Sequence, residues 1–209
     1  MLKYFFSLCL CILLSAAVAA QSAQKILEAT AQRMTQSGDV RAQFKATQFS
    51  GTTPQSEATG TILISGRKFQ MTSGELTTWF DGQTQWTMLA NSNEVNVAIP
   101  DEEEQAAMNP AVLVSIYKKG YRCSMTKSTL RGRATYVIHM SAKTKKAPFT
   151  DIFVDVEQAT YNPLCIRAKK DGDWMRLAIL TFQNGLTLPA STFTFPKGDF
   201  PSAEIIDLR

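Results

Sequence analysis

The stretch WFDGQTQWTM, from Trp79 to Met88, joins two short apolar runs through the dipeptide Asp81-Gly82. Asp-Gly between apolar runs strongly favours the tight turn of a β-hairpin. The residues before this stretch follow a period of two, as where Val40, Ala42 and Phe44 alternate with polar side chains. Such alternation predicts antiparallel strands with one apolar and one polar face.

Further strand patterns continue on both sides of the hairpin. Ile62 and Ile64 flank Leu63, and Phe69 and Met71 alternate with polar residues. After the middle of the chain, strands are predicted at Tyr121 to Leu130, Ala134 to Ala142, Thr150 to Val156, Pro163 to Lys169, Trp174 to Phe182 and Thr192 to Phe195. The polar segment from Ser50 to Ala58 contains a proline and is predicted to be a mobile loop. The strands are expected to form one meander.

Three helices are predicted. The segment from Ser22 to Gln36 places small and apolar residues at helical spacing. Asp101 precedes three glutamates, which suits a helix start, where the dipole favours negative charge, better than a metal site. Asn109-Pro110 ends that short helix and opens another, which runs to Gly120. The two short helices thus separate two halves of the sheet.

Residues 1–20 have the composition of a cleaved secretory signal peptide. Lys3 provides a positive start, an apolar run follows from Phe5 to Leu14, and small residues from Ala16 to Ala20 suit the peptidase. The expected organisation is a signal at 1–20 and one domain at 21–209, because 44% apolar residues suffice for a single core. The expected location is the periplasm.

Charge and chemistry exclude several classes of function. The formal net charge of +4 falls to +3 without Lys3, and the basic residues are scattered, so no nucleic-acid binding is predicted. His139 is the only histidine and lies among apolar strand residues, which favours a structural role over catalysis. No zinc-ligand spacing, nucleophile elbow or phosphate loop occurs, and we predict no enzyme, no metal and no cofactor.

Cys123 and Cys165 fall in predicted strands that lie three steps apart in the meander, or about 14 Å. A disulfide needs Cα atoms within about 7 Å. Two buried thiols therefore fit better than a bridge, which would require another strand order. Seven methionines remain after the signal, and they suit either an irregular core or an adaptable apolar pocket.

The order of these segments resembles the periplasmic outer-membrane lipoprotein carrier (LolA) family. The resemblance spans nearly the whole mature chain and rests on order and spacing. After the signal and the first helix, it rests on Val40 to Phe44, Gly60 to Ile64, Arg67 to Phe69, Trp79 to Trp86, Glu94 to Val97, Asn109 to Leu113 and Phe193 to Phe195. The most specific element is the aromatic hairpin, followed by a strand and the Asn-Pro helix.

The resemblance implies a mainly β fold, an unclosed and strongly curved antiparallel β-barrel with a helical lid over an apolar cavity. It implies a monomeric carrier of the acyl chains of lipoproteins or other lipids, with an inner-membrane releasing transporter and an outer-membrane receptor as partners. An envelope sensor or scaffold domain on the same fold, binding lipid or protein, is the alternative.

The candidate site residues follow from the same resemblance and from strand parity. The aromatic hairpin is expected either to wall the hollow or to pack against the core. The candidate lipid-binding residues are Phe44, Ile64, Phe69, Met71, Trp79, Trp86, Met88, Leu113 and Ile116. Arg67 is the candidate that holds the lid closed by hydrogen bonds to lid backbone, although Gly66 could occupy the equivalent position.

Overall fold

The computed structural model describes residues 23–209, so the predicted signal at 1–20 lies outside the described residues. Helix α1 covers 23–35, α2 covers Glu102–Met108 and α3 covers Pro110–Ser115. The strands are β1 Asp39–Ser50, β2 Thr53–Ser65, β3 Lys68–Ser73, β4 Leu76–Phe80, β5 Gln85–Leu89, β6 Glu94–Ala98, β7 Tyr121–Leu130, β8 Arg133–Ala142, β9 Asp151–Glu157, β10 Pro163–Lys170, β11 Asp173–Leu186 and β12 Glu204–Asp207. Short 3-10 turns lie at Ile116–Lys118 and Ala190–Phe193.

All twelve strands form one curved sheet in the order β12-β6-β5-β4-β3-β2-β1-β11-β10-β9-β8-β7. Neighbouring strands are antiparallel except β12, which runs parallel to β6. Strands β7 and β12 lie at opposite edges of this order, so the barrel is not closed. The predicted fold class, an unclosed curved antiparallel barrel with a helical lid, is confirmed.

The two halves of the sheet are joined by β1 and β11, the longest-range pair along the chain. Residues of β1 pair with β2 on one side and with β11 on the other. The register with β11 shifts next to Phe44, as at a β-bulge, which increases local twist and bends the strand. The bend falls in the middle of the sheet, where a half barrel needs its curvature.

Several hairpins follow from local turn chemistry. Only two residues, Gly66 and Arg67, separate the paired ends of β2 and β3, and Gly66 has a φ of +60°. A glycine with positive φ at the first turn position is typical of a type II′ turn, whose twist matches that of the strands. Arg131-Gly132 and Asp171-Gly172 have positive φ at both positions, as in type I′ turns.

Only one face of the sheet, here called the inner face, is covered by the helices. It carries Ile62, Ile64, Ile138 and Val154 on alternate strand positions, and all four are almost fully buried. The helices contribute the buried residues Ala23, Leu27, Met34, Ala106, Ala111, Leu113 and Val114 to the same cluster. Burial of these apolar side chains between helices and sheet is the main driving force for the fold.

The opposite, outer face is covered over β3 to β6 by the chain's own C-terminal segment. Trp79, Met88 and Val95 on this face form a second buried cluster with Phe195. The rings of Trp79 and Phe195 meet edge to face with centroids 5.4 Å apart. This segment also ends in β12, which pairs with β6 and covers that edge of the sheet.

Two predicted segments differ from the structure. The polar segment from Ser50 to Ala58 is not a loop: β1 and β2 continue through it and turn only at Gly51 and Thr52. The predicted last strand at Thr192 to Phe195 is instead a 3-10 turn, and the last strand lies at Glu204–Asp207. In the first segment the pairing of β1 with β2 outweighs local composition. In the second, Phe195 packs on the outer face of the sheet rather than joining it.

The two cysteines of the described chain are free and buried. Cys123 pairs with Met140 on the inner face, whereas Cys165 pairs with Asp155 on the outer face. Side chains on opposite faces of one sheet cannot approach to disulfide distance. The expectation of two buried thiols is therefore confirmed.

Candidate functional site

The helices and the inner face of the sheet enclose a cavity of about 390 Å³. Strands β1, β2, β3 and β11 form its floor, and α2, α3 and the end of α1 form its roof. Among the described residues that line it, Ser73 is the only polar one. Four methionines contribute to the wall, Met34, Met71, Met108 and Met175. Methionine is flexible and polarisable, so this wall can adapt to ligands of different shape.

Four of the candidate lipid-binding residues line this cavity. Phe44, Ile64 and Met71 come from neighbouring strands, and Leu113 reaches down from α3. Their juxtaposition follows from strand parity, because Ile64 is paired with Phe69 and Phe69 with Phe80, so one face continues across the strands.

The remaining inner-face candidates lie beside the cavity. Phe69 is fully buried next to Phe80, with ring centroids 5.5 Å apart, and belongs to the core rather than to the cavity wall. Ile116 lies in the 3-10 turn after α3 and lines a second cleft on the other side of the lid. Neither residue lines the inner cavity.

The expectation that the aromatic hairpin walls the hollow is wrong. Trp79 and Trp86 form a cross-strand pair between β4 and β5. They lie with Met88 on the outer face, where all three pack in the cluster around Phe195. The reason is register: Phe80 faces the core, and adjacent residues of a strand point to opposite faces. The hairpin therefore supports the fold and not the cavity.

The lid consists of short helices with well-formed ends. Asp101 caps α2 through a capping box with Glu104, in which each side chain accepts a backbone N–H of the other residue. Asn109 caps α3 by accepting the N–H of Ala111, and Pro110 occupies the first turn. Helices of six or seven residues are marginal in isolation, so α2 and α3 depend on their contacts with the sheet.

Arg67 joins the lid to the turn between β2 and β3. Its Nη2 donates a hydrogen bond to Oε1 of Gln105 in α2, at 2.9 Å. Gln105 in turn donates from Nε2 to the carbonyl of Pro100, and the side chain of Asn109 donates to the carbonyl of Arg67. This Arg67–Gln105 contact is here called the latch, and its role in holding the lid closed stays a prediction. The partner of Arg67 is a side-chain amide, not the backbone carbonyls that the resemblance implied.

A second cleft of about 650 Å³ lies on the far side of this latch. Arg67 and Gln105 line it together with Val112, Ile116 and the loop residue Pro148. Ala106 lines both the cleft and the inner cavity, so only α2 separates the two spaces at this point.

Two further features describe the electrostatics around the lid. Lys170 forms an ion pair with Glu103 of α2, and the hydrogen bond that Lys170 donates to this carboxylate raises the pKa of Lys170. Burial raises the pKa of the Cys123 thiol, which lies beneath the lid on β7. An exposed ion pair thus lies beside α2, and a buried thiol belongs to the core that the lid covers.

Several residues of the site were not singled out from the sequence. Gln105 follows an acidic run and has no motif that predicts a latch partner. The sequence predicts Met34 on the apolar side of α1. Met175 and Leu177, in contrast, reach the cavity only because β11 pairs with β1. That pairing joins segments more than 120 residues apart and leaves no local signal.

The sequence of the chain matches one family model over residues 13–172, that of the outer membrane lipoprotein carrier protein LolA. The chain belongs to the LolA family. No curated protein has a significantly similar sequence. The match covers the sheet from β1 to the end of β10 and both lid helices, so the family resemblance stated above is confirmed.

Solved structures similar to this one have low sequence identity. An uncharacterised conserved protein from Thermus thermophilus has a TM-score of 0.61 at 13% identity, over 89% of this chain and 99% of its own. LprF from Mycobacterium bovis has a TM-score of 0.50 at 11% identity, over 82% and 97%. A LolA superfamily protein from Nitrosomonas europaea has a TM-score of 0.45 at 11% identity, over 82% and 97%. The first two similarities concern the fold alone.

Within 23–209, no helix is both long and apolar enough to cross a membrane. Across the same residues, no three histidine, cysteine or acidic side chains cluster in a way that could hold a metal ion. The inner cavity with its lid is the feature on which a functional proposal rests.

Proposed function

We propose that this protein is a periplasmic carrier that shelters the acyl chain of a lipoprotein, or of another lipid, in the cavity beneath the lid. The observation that carries the proposal is the almost wholly apolar lining of a cavity roofed by short helices. Burial of an acyl chain gains about 0.8 kcal/mol per methylene group. The family match supports a role in carrying lipoproteins toward the outer membrane.

The size of the cavity bears on how the carrier would work. A volume of about 390 Å³ is near the lower end of the range of small-molecule sites. A long or multiply acylated cargo would therefore displace the lid on entry. The cost of lid displacement limits the affinity, and closure of the empty protein favours release.

The lid contacts suit such a cycle. Arg67 and Asn109 provide hydrogen bonds between the lid and the sheet, and Lys170 adds an exposed ion pair with Glu103. Exposed ion pairs contribute little to stability, so few polar interactions oppose opening. In this proposal the site residues are Phe44, Ile64, Met71 and Leu113 in the cavity, with Arg67 as the latch.

A binding assay with a cavity-blocking variant tests the proposal. The purified domain would be titrated with a fluorescent fatty acid, followed by competition with a synthetic triacylated lipopeptide. Ala46 lines the cavity and pairs with Leu177, so Ala46→Phe fills the space. The matched control is Ala178→Phe, because Ala178 pairs with Lys45 and lies on the outer face.

We expect binding by the wild type and by Ala178→Phe, and a loss of at least about tenfold in affinity for Ala46→Phe. Circular dichroism would show that both variants are folded. Lipid that co-purifies from the native envelope should be identified by mass spectrometry. If no long-chain amphiphile binds, or if both variants bind alike, the cavity is not a lipid site.

A further inference from the structure

The outer face over β7 to β11 and β1 carries an array of aromatic and basic side chains outside the proposed lipid site. His139 of β8 stacks on Phe153 of β9, with ring centroids 4.2 Å apart and planes 2° apart. The guanidinium of Arg167 lies over the same Phe153 ring, 4.9 Å from its centroid. These side chains lie side by side because the three residues are paired across the strands.

The array continues onto the next strands. Lys169 lies over the ring of Trp174 at 5.7 Å, and these two residues are directly paired between β10 and β11. Arg176 lies over the ring of Phe49 at 5.2 Å and donates a hydrogen bond to the hydroxyl of Thr47. Stacking on a ring holds each cation in a defined place on a surface where it would otherwise be free to rotate.

The carboxylates of this face are already bound. Asp155 accepts a hydrogen bond from Arg167, Asp151 bonds to His139, and Glu57 pairs with Lys45. The hydrogen bond from Lys45 lowers the pKa of Glu57, so this carboxylate is committed to its partner.

Three cations of the same face are left without a carboxylate. Arg122 of β7, Lys169 of β10 and Arg176 of β11 have no acidic group within 4 Å among residues 23–209. The buried Nε of Arg176 also lacks a hydrogen-bond partner in this part of the chain. Aromatic rings hold Lys169 and Arg176 in place, whereas Arg122 is exposed at the edge strand. Arg176 reaches Glu57 only through the hydroxyl of Thr47, so the face presents positive groups that form no direct ion pair.

The two halves of the outer face differ in how their aromatic residues are covered. Over β3 to β6, Trp79 packs beneath Phe195 of the C-terminal segment. Phe49, Phe153 and Trp174 on the other half contact one another or the basic side chains, and no described cluster places a further chain segment over them. A partner could cover this half as the C-terminal segment covers the first.

We propose that the outer face around Arg122, Lys169, Trp174 and Arg176 docks an acidic segment of a partner protein. Tryptophan and arginine are enriched among residues that dominate protein interfaces. Guanidinium groups held at defined positions suit the geometry of carboxylates, and complementary charge guides association. Lys169 and Arg176 are half-buried on an extended sheet, which favours a protein segment over a membrane surface as the partner.

The test measures binding of a fluorescein-labelled peptide of alternating glutamate and serine to the whole mature domain by fluorescence anisotropy. A peptide with glutamine in place of glutamate, and vesicles of phosphatidylglycerol, serve as alternative ligands. The variant combines Arg122→Glu with Lys169→Glu. The matched control is Lys127→Glu, because Lys127 lies on β7 but pairs with Tyr136, which packs against the inner core.

We expect the acidic peptide to bind the wild type and Lys127→Glu alike, the double variant to bind at least about tenfold more weakly, and the glutamine peptide not to bind. All variants should keep their affinity for the fluorescent fatty acid, which separates this surface from the cavity. The proposal is overturned if the acidic peptide does not bind, if the two peptides or the variants bind equally, or if only the vesicles bind.

Discussion

Replacement of Arg67 by leucine is the sharpest test of the lid. The guanidinium donates to Oε1 of Gln105 at 2.9 Å, and Gln105 is only 9% exposed. Leucine removes this donor but keeps the backbone carbonyl that accepts from Asn109. The substitution therefore removes one link between lid and sheet and leaves the other in place.

The expected magnitude follows from the geometry of this contact. A hydrogen bond to a charged group contributes about 1.5–3 kcal/mol. Gln105 keeps its bond to the carbonyl of Pro100, and the adjacent cleft lets water reach the freed amide oxygen. We therefore expect a cost near the lower end, about 1.5 kcal/mol, which corresponds to about tenfold in the population of the open lid.

Two measurements check this prediction. Urea unfolding of the empty domain should show a loss of about 1.5 kcal/mol for Arg67→Leu, and the affinity for a fluorescent fatty acid should rise by about tenfold. Release of an acylated cargo should become less complete, because the closed empty state has lost stability. Arg41→Leu is the matched control, since Arg41 lies on β1 and has no hydrogen bond or ion pair from its side chain within 23–209.

A double-mutant cycle separates the latch from other effects of the substitution. In a Gln105→Met background the donor has no acceptor, so Arg67→Leu should cost less than about 0.5 kcal/mol. If Arg67→Leu behaves like Arg41→Leu, or if its cost is the same in both backgrounds, Arg67 does not hold the lid through Gln105.

Three further predictions concern the lid and the core around the cavity. Cys123 lies beneath the lid, and burial raises the pKa of its thiol, so its alkylation at pH 8 should be slow in the empty domain and faster in a variant with a weakened latch. Mass spectrometry measures both rates, and the alkylation rate of Cys165 on the outer face should be the same in both proteins. Gly60→Ala should destabilise the domain by about 1–3 kcal/mol in urea unfolding, because its Cβ would lie 2.4 Å from a backbone oxygen of β3 and 2.6 Å from a cavity phenylalanine; a wild-type midpoint would contradict this. Glu103 raises the pKa of Lys170 in the folded protein. The contribution of this ion pair to lid closure is therefore complete below the ordinary lysine pKa, about 10.4, and is lost as the pH rises through the higher folded value. Fatty-acid affinity should depend on pH in that window, and Glu103→Gln should abolish the dependence.

Local chemistry determined a large part of this fold. Capping by Asp101 and Asn109 and the turns at Gly82 and Gly132 lie where the sequence predicts them. Each depends on interactions between residues a few positions apart, so a short stretch of chain is sufficient to specify it. The sequence also suggested Arg67 as a lid contact, through the family resemblance and strand parity, and its side chain does bond to Gln105 of α2 from the two-residue turn. Its role in holding the lid stays a prediction.

The tertiary structure decided which residues share a space. Alternation along β4 and β5 shows that Trp79 and Phe80 face opposite ways, but not which of them meets the helices. That choice depends on the C-terminal segment, since Phe195 covers the outer face and pairs its ring with Trp79. The cavity likewise forms only when β11 pairs with β1 and brings Met175 to the wall. Such contacts join distant parts of the chain and depend on the packing of the whole domain, so a local pattern predicts strands and turns but not the side of the sheet on which a site is built.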